Sequence, residues 1–249
     1  GAATNQTVYV LPIREMIEPA LVYVIRRGAL EAEQTGADAV IISMDTPGGA
    51  VDAAERITKI LGSIDVPTYT FVERNAISAG AIIAMATGEI YMAPGSKIGD
   101  AMPIMMSPTG GVQEMPEGVE EKTVSYVAAL IRSQAQKNGH DPELAECMVR
   151  REKEYRIGDE VICPSNVLLT LTNVEAERPV GEEGRPLLSS GTVESIDELL
   201  ERVGLAGAKR IELDVTAAEK IARAIASMAS VFLIAGLLGI YIEIKTPGI

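Results

Sequence analysis

Ala39-Val40-Ile41-Ile42-Ser43-Met44-Asp45-Thr46-Pro47-Gly48-Gly49 is the stretch on which the reading of the fold turns. Its first six residues form an apolar run broken by one serine, and such a run, bounded by turn residues, reads as a buried strand. The run stops at an acidic residue, a proline and two glycines, and a helix is expected over residues 51–61. In open α/β sheets ligands gather beyond the carboxyl ends of the strands, which is where residues 45–49 fall. Two consecutive glycines there expose backbone N–H groups beside a helix start, a setting that favours developing negative charge. The alternative is a tight strand-to-helix turn without chemistry, which needs one glycine and seldom two after a proline.

On either side the pattern repeats. Residues 8–13 read as a strand, and residues 18–35 as a helix with Ala20, Leu21, Val24, Ile25 and Ala29 on one stripe. Another strand is expected over residues 67–72. Strand alternating with helix at this spacing predicts an α/β fold with a mostly parallel sheet and crossover helices. Further along come a strand at residues 89–92, an apolar methionine-rich loop at 99–106 and a flexible loop at 107–118. A charged helix over residues 116–137 closes at Asn138-Gly139. Beyond it the sequence predicts a helix at 142–152, strands near Glu160 and Val167, a loop at 181–186 and a helix at 195–203. Residues 224–242 are 19 positions without a charge. As a helix they span about 28 Å, close to the thickness of a bilayer core. Residues 1–222 are therefore expected to form the globular domain, and residues 223–249 a hydrophobic helix, the first membrane segment of a longer protein. A long buried core helix, diluted by Ser227, Ser230, Gly236 and Gly239, is the competing reading. The short polar opening, Gly1-Ala2-Ala3-Thr4-Asn5-Gln6, fits a processed start.

Composition narrows the chemistry. Of 249 residues 47% are hydrophobic, enough to bury a sizeable core. Against 22 basic residues stand 35 acidic ones, a net charge of −13 that opposes phosphate attraction and argues against a nucleic-acid partner. Two cysteines, Cys147 and Cys163, are too few for a disulfide scaffold or a Cys-rich zinc site, and one histidine, His140, excludes a multi-histidine metal centre. No metal or cofactor is expected. Without Trp and with two Phe, a stacking platform for bases or sugars is poorly supplied.

Ser78 follows a strand and opens the small-residue segment Ala79-Gly80-Ala81. Its hydroxyl is expected at a helix start, where the N–H of Ala79 favours an oxyanion and small neighbours admit a substrate backbone. Serine is also a preferred N-cap, so a purely structural role competes with a nucleophile. A serine nucleophile needs a base. His140 has the right chemistry but sits in an expected exposed turn, Asn138-Gly139-His140-Asp141-Pro142. Lys122 and Lys97 are the other choices, since a lysine stripped of water can act as a neutral amine. The apolar side chains of Met102, Ile104 and Met105 suggest a pocket for hydrophobic residues of a peptide.

At this point a resemblance becomes specific. Residues 39–49, then Ile77-Ser78-Ala79-Gly80-Ala81 and Ile98-Gly99-Asp100-Ala101, are similar to the ClpP-class serine peptidases. More narrowly they resemble the membrane-bound NfeD-type family, in its long form with an N-terminal protease domain. The similarity continues through Val119-Glu120-Glu121-Lys122, Leu168-Leu169-Thr170-Leu171-Thr172 with Glu175-Ala176, and Gly236-Leu237-Leu238-Gly239-Ile240-Tyr241-Ile242-Glu243 before Thr246-Pro247-Gly248. The resemblance implies a ClpP/crotonase-like fold and a Ser-Lys dyad of Ser78 and Lys122, 44 residues apart (122 − 78). It also implies an oxyanion hole from the N–H groups of Gly49, Gly48 and Ala79. Substrates would be hydrophobic segments of stomatin-like membrane proteins, cleaved by a membrane-anchored homo-oligomer, dimer or larger, with its protease domain on the extracytoplasmic face. One feature of the sequence resists this. Val124, Val127, Ala128, Ile131 and Ala135 form the buried stripe of their helix, which leaves Lys122 on the opposite face, where it serves as a base only if that face turns toward Ser78 at the helix start or a partner subunit covers it. Two other functions fit the same fold: a crotonase-type acyl-CoA enzyme, for which only Glu89 and Asp100 are at hand, and a non-catalytic scaffold for a stomatin-like partner.

Overall fold

The computed structural model describes residues 6–107, 111–213, 225 and 228–246. In chain order the first elements are β1 (Thr7–Ile17), α1 (Pro19–Thr35), β2 (Ala39–Gly49), α2 (Val51–Leu61), β3 (Thr68–Ile77), α3 (Ala79–Ala84), β4 (Glu89–Met92) and β5 (Lys97–Gly99). Next come β6 (Met105–Met106), β7 (Val112–Gln113), α4 (Glu117–Asn138), α5 (Pro142–Cys147), β8 (Tyr155–Ile157), β9 (Glu160–Cys163) and β10 (Thr170–Thr172). The last are α6 (Asn173–Glu177), β11 (Pro179–Val180), β12 (Arg185–Pro186), β13 (Gly191–Thr192), α7 (Ile196–Arg202), β14 (Lys209–Glu212) and α8 (Ala229–Lys245).

Strand side chains alternate between the two faces of a sheet, and here both faces are covered. Val40, Ile42 and Met44 of β2 enter the larger core beneath α1, α2 and α3, while Ala39 and Ile41 enter a smaller one with Leu199 and Leu200 of α7. β1 runs parallel to β2 with Val8 opposite Ala39, so Leu11 and Ile13 share the first face and Val8 and Val10 the second. β3 pairs parallel to β2. Its first half then pairs with β4 and its last three residues with β5, so the sheet forks at the end of β3. β14 lies parallel to β1 at one edge, and β10 antiparallel to β5 at the other. The architecture is the mixed α/β one expected, with a mostly parallel central sheet. Gly28 lets α1 lie close on the sheet, because a Cβ there would come 2.3 Å from a Leu11 methyl.

Several boundaries differ from those read in the sequence. β1 and β2 are longer than expected, since register shifts between Arg14 and Met16, and between Met44 and Thr46, let pairing continue through the turn residues. The loop expected at 107–118 contains β7, which pairs antiparallel with β6, and the first residues of α4; positions 108–110 are outside the described residues. The helix expected over 142–152 stops at Cys147. The Cys147 carbonyl accepts the Leu169 N–H at 3.0 Å and the Met148 carbonyl accepts that of Ala101 at 2.6 Å, so tertiary bonds take the acceptors a longer helix would need. The strand sought near Val167 lies at β10, and the loop at 181–186 is framed by the hairpin β11–β12.

Helix α4 buries Val124, Val127, Ala128, Ile131 and Ala135, the stripe expected, and ends at Gly139 in the left-handed conformation with φ +81°. Arg132 of α4 donates to the buried Glu146 of α5 at 2.9 Å, and Glu146 also meets Lys153 at 3.1 Å, which ties the two helices together.

The chain divides into two compact units, Gly1–Leu213 and Asp214–Ile249. In the second, α8 presents Val231, Phe232, Leu233, Ile234, Leu237 and Leu238 exposed, apolar on every side. Among the described residues no helix is long and apolar enough to cross a membrane. The expected domain boundary at 222/223 and the beginning of the charge-free run at Ala224 lie outside the described residues.

Candidate active site

Ser78 occupies the single position between β3 and α3, with φ +57° and ψ −122°. L-residues rarely adopt that conformation, which costs on the order of 1–3 kcal/mol and persists only where the surroundings enforce it. Two hydrogen bonds do so. The Ser78 N–H donates to the Gly99 carbonyl at 3.0 Å, and the Ser78 carbonyl accepts the Ala81 N–H at 3.0 Å. Gly99 is pinned in turn, since a Cβ on it would fall 2.3 Å from the Leu169 carbonyl oxygen. A capping serine would spend its hydroxyl on the first turn of the helix, but Ser78 makes no side-chain cap bond to α3. The N-cap role considered from the sequence is therefore not what this serine does.

The two glycines of β2 meet it. The pairing of Thr46 with Ala76, carried two residues on, brings Gly48 beside Ser78. A Cβ on Gly48 would lie 2.4 Å from Ser78 Cβ and 2.9 Å from its Oγ. With φ +113° at Gly48 and +154° at Gly49, backbone rather than side chain walls the serine. The Gly48 N–H donates to Thr46 Oγ1 at 3.0 Å. Gly49 is oriented differently. The Ala50 N–H donates to the Ile17 carbonyl of β1 at 2.8 Å, so strand alternation turns the preceding N–H, that of Gly49, away from β1 and toward the β3 side. Ala79 is the first residue of α3, where a backbone N–H has no partner within the helix. Ser78, Gly48, Gly49 and Ala79 thus converge at the carboxyl ends of β2 and β3.

The remaining sequence candidates are distributed differently. Lys122 is exposed in the second turn of α4, opposite the buried stripe, and among the described residues no hydrogen bond or ion pair joins it to Ser78 or to an acidic side chain. Lys97 is exposed on β5. Met102 is half-buried and lines a cleft of about 420 Å³ with Glu120, Glu121 and Val124 of α4. Ile104 is exposed, and Met105 is half-buried in the β6–β7 hairpin. His140 is not in an exposed turn as expected: it is half-buried, with Nε2 2.7 Å from the Thr87 carbonyl. Burial holds its imidazole below the usual pKa, against the opposing pull of the Thr87 carbonyl and Glu89. It lines a cavity of about 660 Å³ with Asp141, Tyr155 and Arg185, and neither Ser78 nor Lys122 reaches that cavity. Cys147 and Cys163 are free and buried.

Other groups around the site carry no expectation from sequence. Asp45 accepts from Arg74 Nε at 2.8 Å and from Asn75 Nδ2 at 3.2 Å, and Arg14 pairs with Glu73 at 2.6 Å, fixing the strand ends below the serine. The signal for these was weak: charged residues interrupt otherwise apolar strands at matching positions, which marks where a strand leaves the core without saying what it meets.

The family model described as NfeD1b, N-terminal domain, matches residues 7–213. Membrane protein NfeD1b of Bacillus subtilis (strain 168) is 30% identical over 249 residues, which cover 99% of this chain and 53% of that protein. Membrane-bound protease PH1510 of Pyrococcus horikoshii is 35% identical over 149 residues, 58% of this chain and 33% of that protein. The chain thus spans about half or less of the length of these relatives. Among solved structures, the 1510-N membrane-bound stomatin-specific protease, as a lysine-to-alanine mutant in complex with a substrate peptide, superposes with a TM-score of 0.70 at 26% identity, covering 89% of this chain and 98% of that one. A serine-to-alanine mutant of the same protease gives 0.66 at 27% identity, with 86% and 100% covered. The strained serine, its glycine wall and the parallel sheet that carries them thus lie within a stretch that one family describes almost end to end, and this chain belongs to the NfeD1b N-terminal domain family.

Proposed function

We propose that the chain is the protease domain of a membrane-associated serine endopeptidase, with Ser78 as nucleophile and Lys122 as base. The observation that carries the proposal is the backbone of Ser78, held at φ +57° against the Gly48 turn with its hydroxyl withheld from capping α3. Backbone strain at a half-buried serine whose hydroxyl is not used to cap the helix is a mark of functional sites. The hydroxyl oxygen attacks a peptide carbonyl while the amine of Lys122 takes its proton. The tetrahedral oxyanion is held by the N–H groups of Gly49 and Ala79, with Gly48 as the close wall beside it. The resulting ammonium returns the proton to the leaving amine, and water then hydrolyses the acyl-enzyme with the same base. A lysine acts as a base only when water is excluded from it. Lys122 is exposed in the single chain, so the dyad is completed in a homo-oligomer, where a second copy covers the start of α4. Met102, Ile104 and Met105 supply the apolar surface for the substrate.

The solved relatives support this reading: a stomatin-specific protease studied as a serine mutant and, with its peptide, as a lysine mutant. Hydrophobic segments of stomatin-like proteins are accordingly the proposed substrates. The hydrophobic residues 223–249 are the proposed membrane attachment, with residues 1–222 as the protease domain on the extracytoplasmic face. The test is fluorophosphonate labelling with mapping of the modified residue, together with cleavage of an apolar peptide. Label on Ser78, with cleavage abolished in Ser78→Ala and in Lys122→Ala, is expected. Activity that survives either substitution overturns the dyad, and a chain inert to the probe that still binds a stomatin-like protein would be a scaffold.

A further inference from the structure

Thr46 lies near the end of β2, two residues before Gly48 and three before the proposed oxyanion donor Gly49, and its side chain is fully buried. Its hydroxyl meets Glu15 and both backbone groups of Gly48, whose carbonyl lies 3.3 Å away. It donates to the carbonyl of Glu15, the residue of β1 at the register shift, which itself stands at φ +59°, and it accepts the Gly48 N–H at 3.0 Å. Its methyl faces α3: a Cβ on Gly80 would fall 2.6 Å from Thr46 Cγ2. One side chain thus spans the bulge of β1, the glycine turn of β2 and the helix that begins next to Ser78.

We propose that Thr46 is a positioning residue for the oxyanion hole, its hydroxyl holding the Gly48 N–H at 3.0 Å and standing 3.3 Å from the Gly48 carbonyl, so that the peptide units on both sides of Gly48 are steadied and the N–H of Gly49 is turned out toward the acyl group on Ser78. The inference rests on the serine-peptidase reading above. Gly48 at φ +113° has no side chain to limit its rotation. Without the hydroxyl, the Pro47–Gly48 peptide loses the partner of its N–H and the Gly48 carbonyl loses its neighbour, so that only the pairing with β1 still holds the Gly48–Gly49 peptide and its N–H can turn out of line. Donors act on an oxyanion only when fixed in place beforehand, so the loss falls on the chemical step and spares substrate binding. Val at this position keeps the shape and removes the donor and acceptor. Ser keeps the hydroxyl and removes the methyl, and Ala removes both, so the Ser/Ala pair isolates the hydroxyl even where Val does not fold.

The experiment measures the rate of fluorophosphonate labelling per reactive site, with the reactive fraction titrated separately, alongside kcat and KM for an apolar peptide. Thr46→Val is expected to label about 10-fold or more slowly per site, with kcat falling in step and KM within about twofold of the wild type. Thr46→Ser is expected to stay within about threefold of the wild type and Thr46→Ala to match the Val variant. In the unmodified protein the Gly48 amide is expected to be protected from hydrogen exchange. A purely structural role would lower the reactive fraction and leave the rate per site unchanged. That result, equal losses in Thr46→Ser and Thr46→Ala, or a rapidly exchanging Gly48 amide overturns the proposal. Absence of label on Ser78 in the wild type refutes the peptidase reading instead, so the two failures are distinguishable.

Discussion

Replacing Gly48 by alanine tests the geometry of the site most directly. Two costs can be read from the structure. A side chain at φ +113° is strained by on the order of 1–3 kcal/mol wherever it stands. The new Cβ would also lie 2.4 Å from Ser78 Cβ, against an optimal carbon separation of roughly 3.5–4.0 Å. Ser78 cannot retreat, because its N–H is bonded to Gly99 and its carbonyl to the first turn of α3. Overpacking of that kind adds about 1–3 kcal/mol. Together Gly48→Ala should destabilise the domain by about 2–6 kcal/mol, a large share of the roughly 5–15 kcal/mol that holds such a domain folded. Gly36→Ala is the control: φ is +65°, nothing stands within 4 Å of the added methyl, and a cost of about 1 kcal/mol is expected from backbone conformation alone. Chemical denaturation gives both values, and fluorophosphonate labelling of the folded fraction reports the serine. Gly48→Ala should label at least about 10-fold more slowly and Gly36→Ala at the wild-type rate. A Gly48→Ala variant as stable as the Gly36→Ala control and labelled at the wild-type rate would refute the close approach of Gly48 to Ser78, and with it the assignment of the site.

Two further outcomes are expected. The imidazole of His140 is held below its usual pKa of 6.5, chiefly by burial, so the folded chain resists a proton that the unfolded chain accepts. Stability on this account is intact above the unfolded value and is lost as pH falls through it toward the folded one; thermal midpoints should drop as pH falls below the usual 6.5, less so in His140→Gln. An unchanged slope in that variant would contradict the burial seen at Thr87. Burial and the neighbouring Cys163 thiol push the Cys147 thiol well above the ordinary thiol range, so both cysteines should react with a thiol reagent at under about a tenth of their rate in the unfolded chain. Rapid labelling of either in the native protein would contradict their burial.

The central sheet was legible because strands buried on both faces leave continuous apolar runs, and residues 39–44 could be little else. The stripe of α4 was equally readable, since a helix that buries one face must repeat its apolar residues every third or fourth position. Boundaries were less so. β2 continues through Pro47 and both glycines because bulges accommodate them, and α5 ends early because Ala101 and Leu169, distant in sequence, take its carbonyls.

Composition, the order of strands and helices and the Asp45–Gly49 and Ile77–Ala81 motifs are properties of the chain alone, and they determined the fold class and the residues worth weighing. Local pattern reports how each segment divides its apolar and polar faces, and that division survives in almost any packing. Whether Ser78 caps a helix or offers its hydroxyl depends on one pair of backbone angles, enforced by Gly99, Leu169 and Gly48 from three separate segments. The burial of His140 against Thr87, the exposure of Lys122 and the bonding of the Thr46 hydroxyl to Glu15 and Gly48 were likewise decided by packing. Hydrogen bonds and desolvation act between groups brought together in space, and only the tertiary structure says which groups those are.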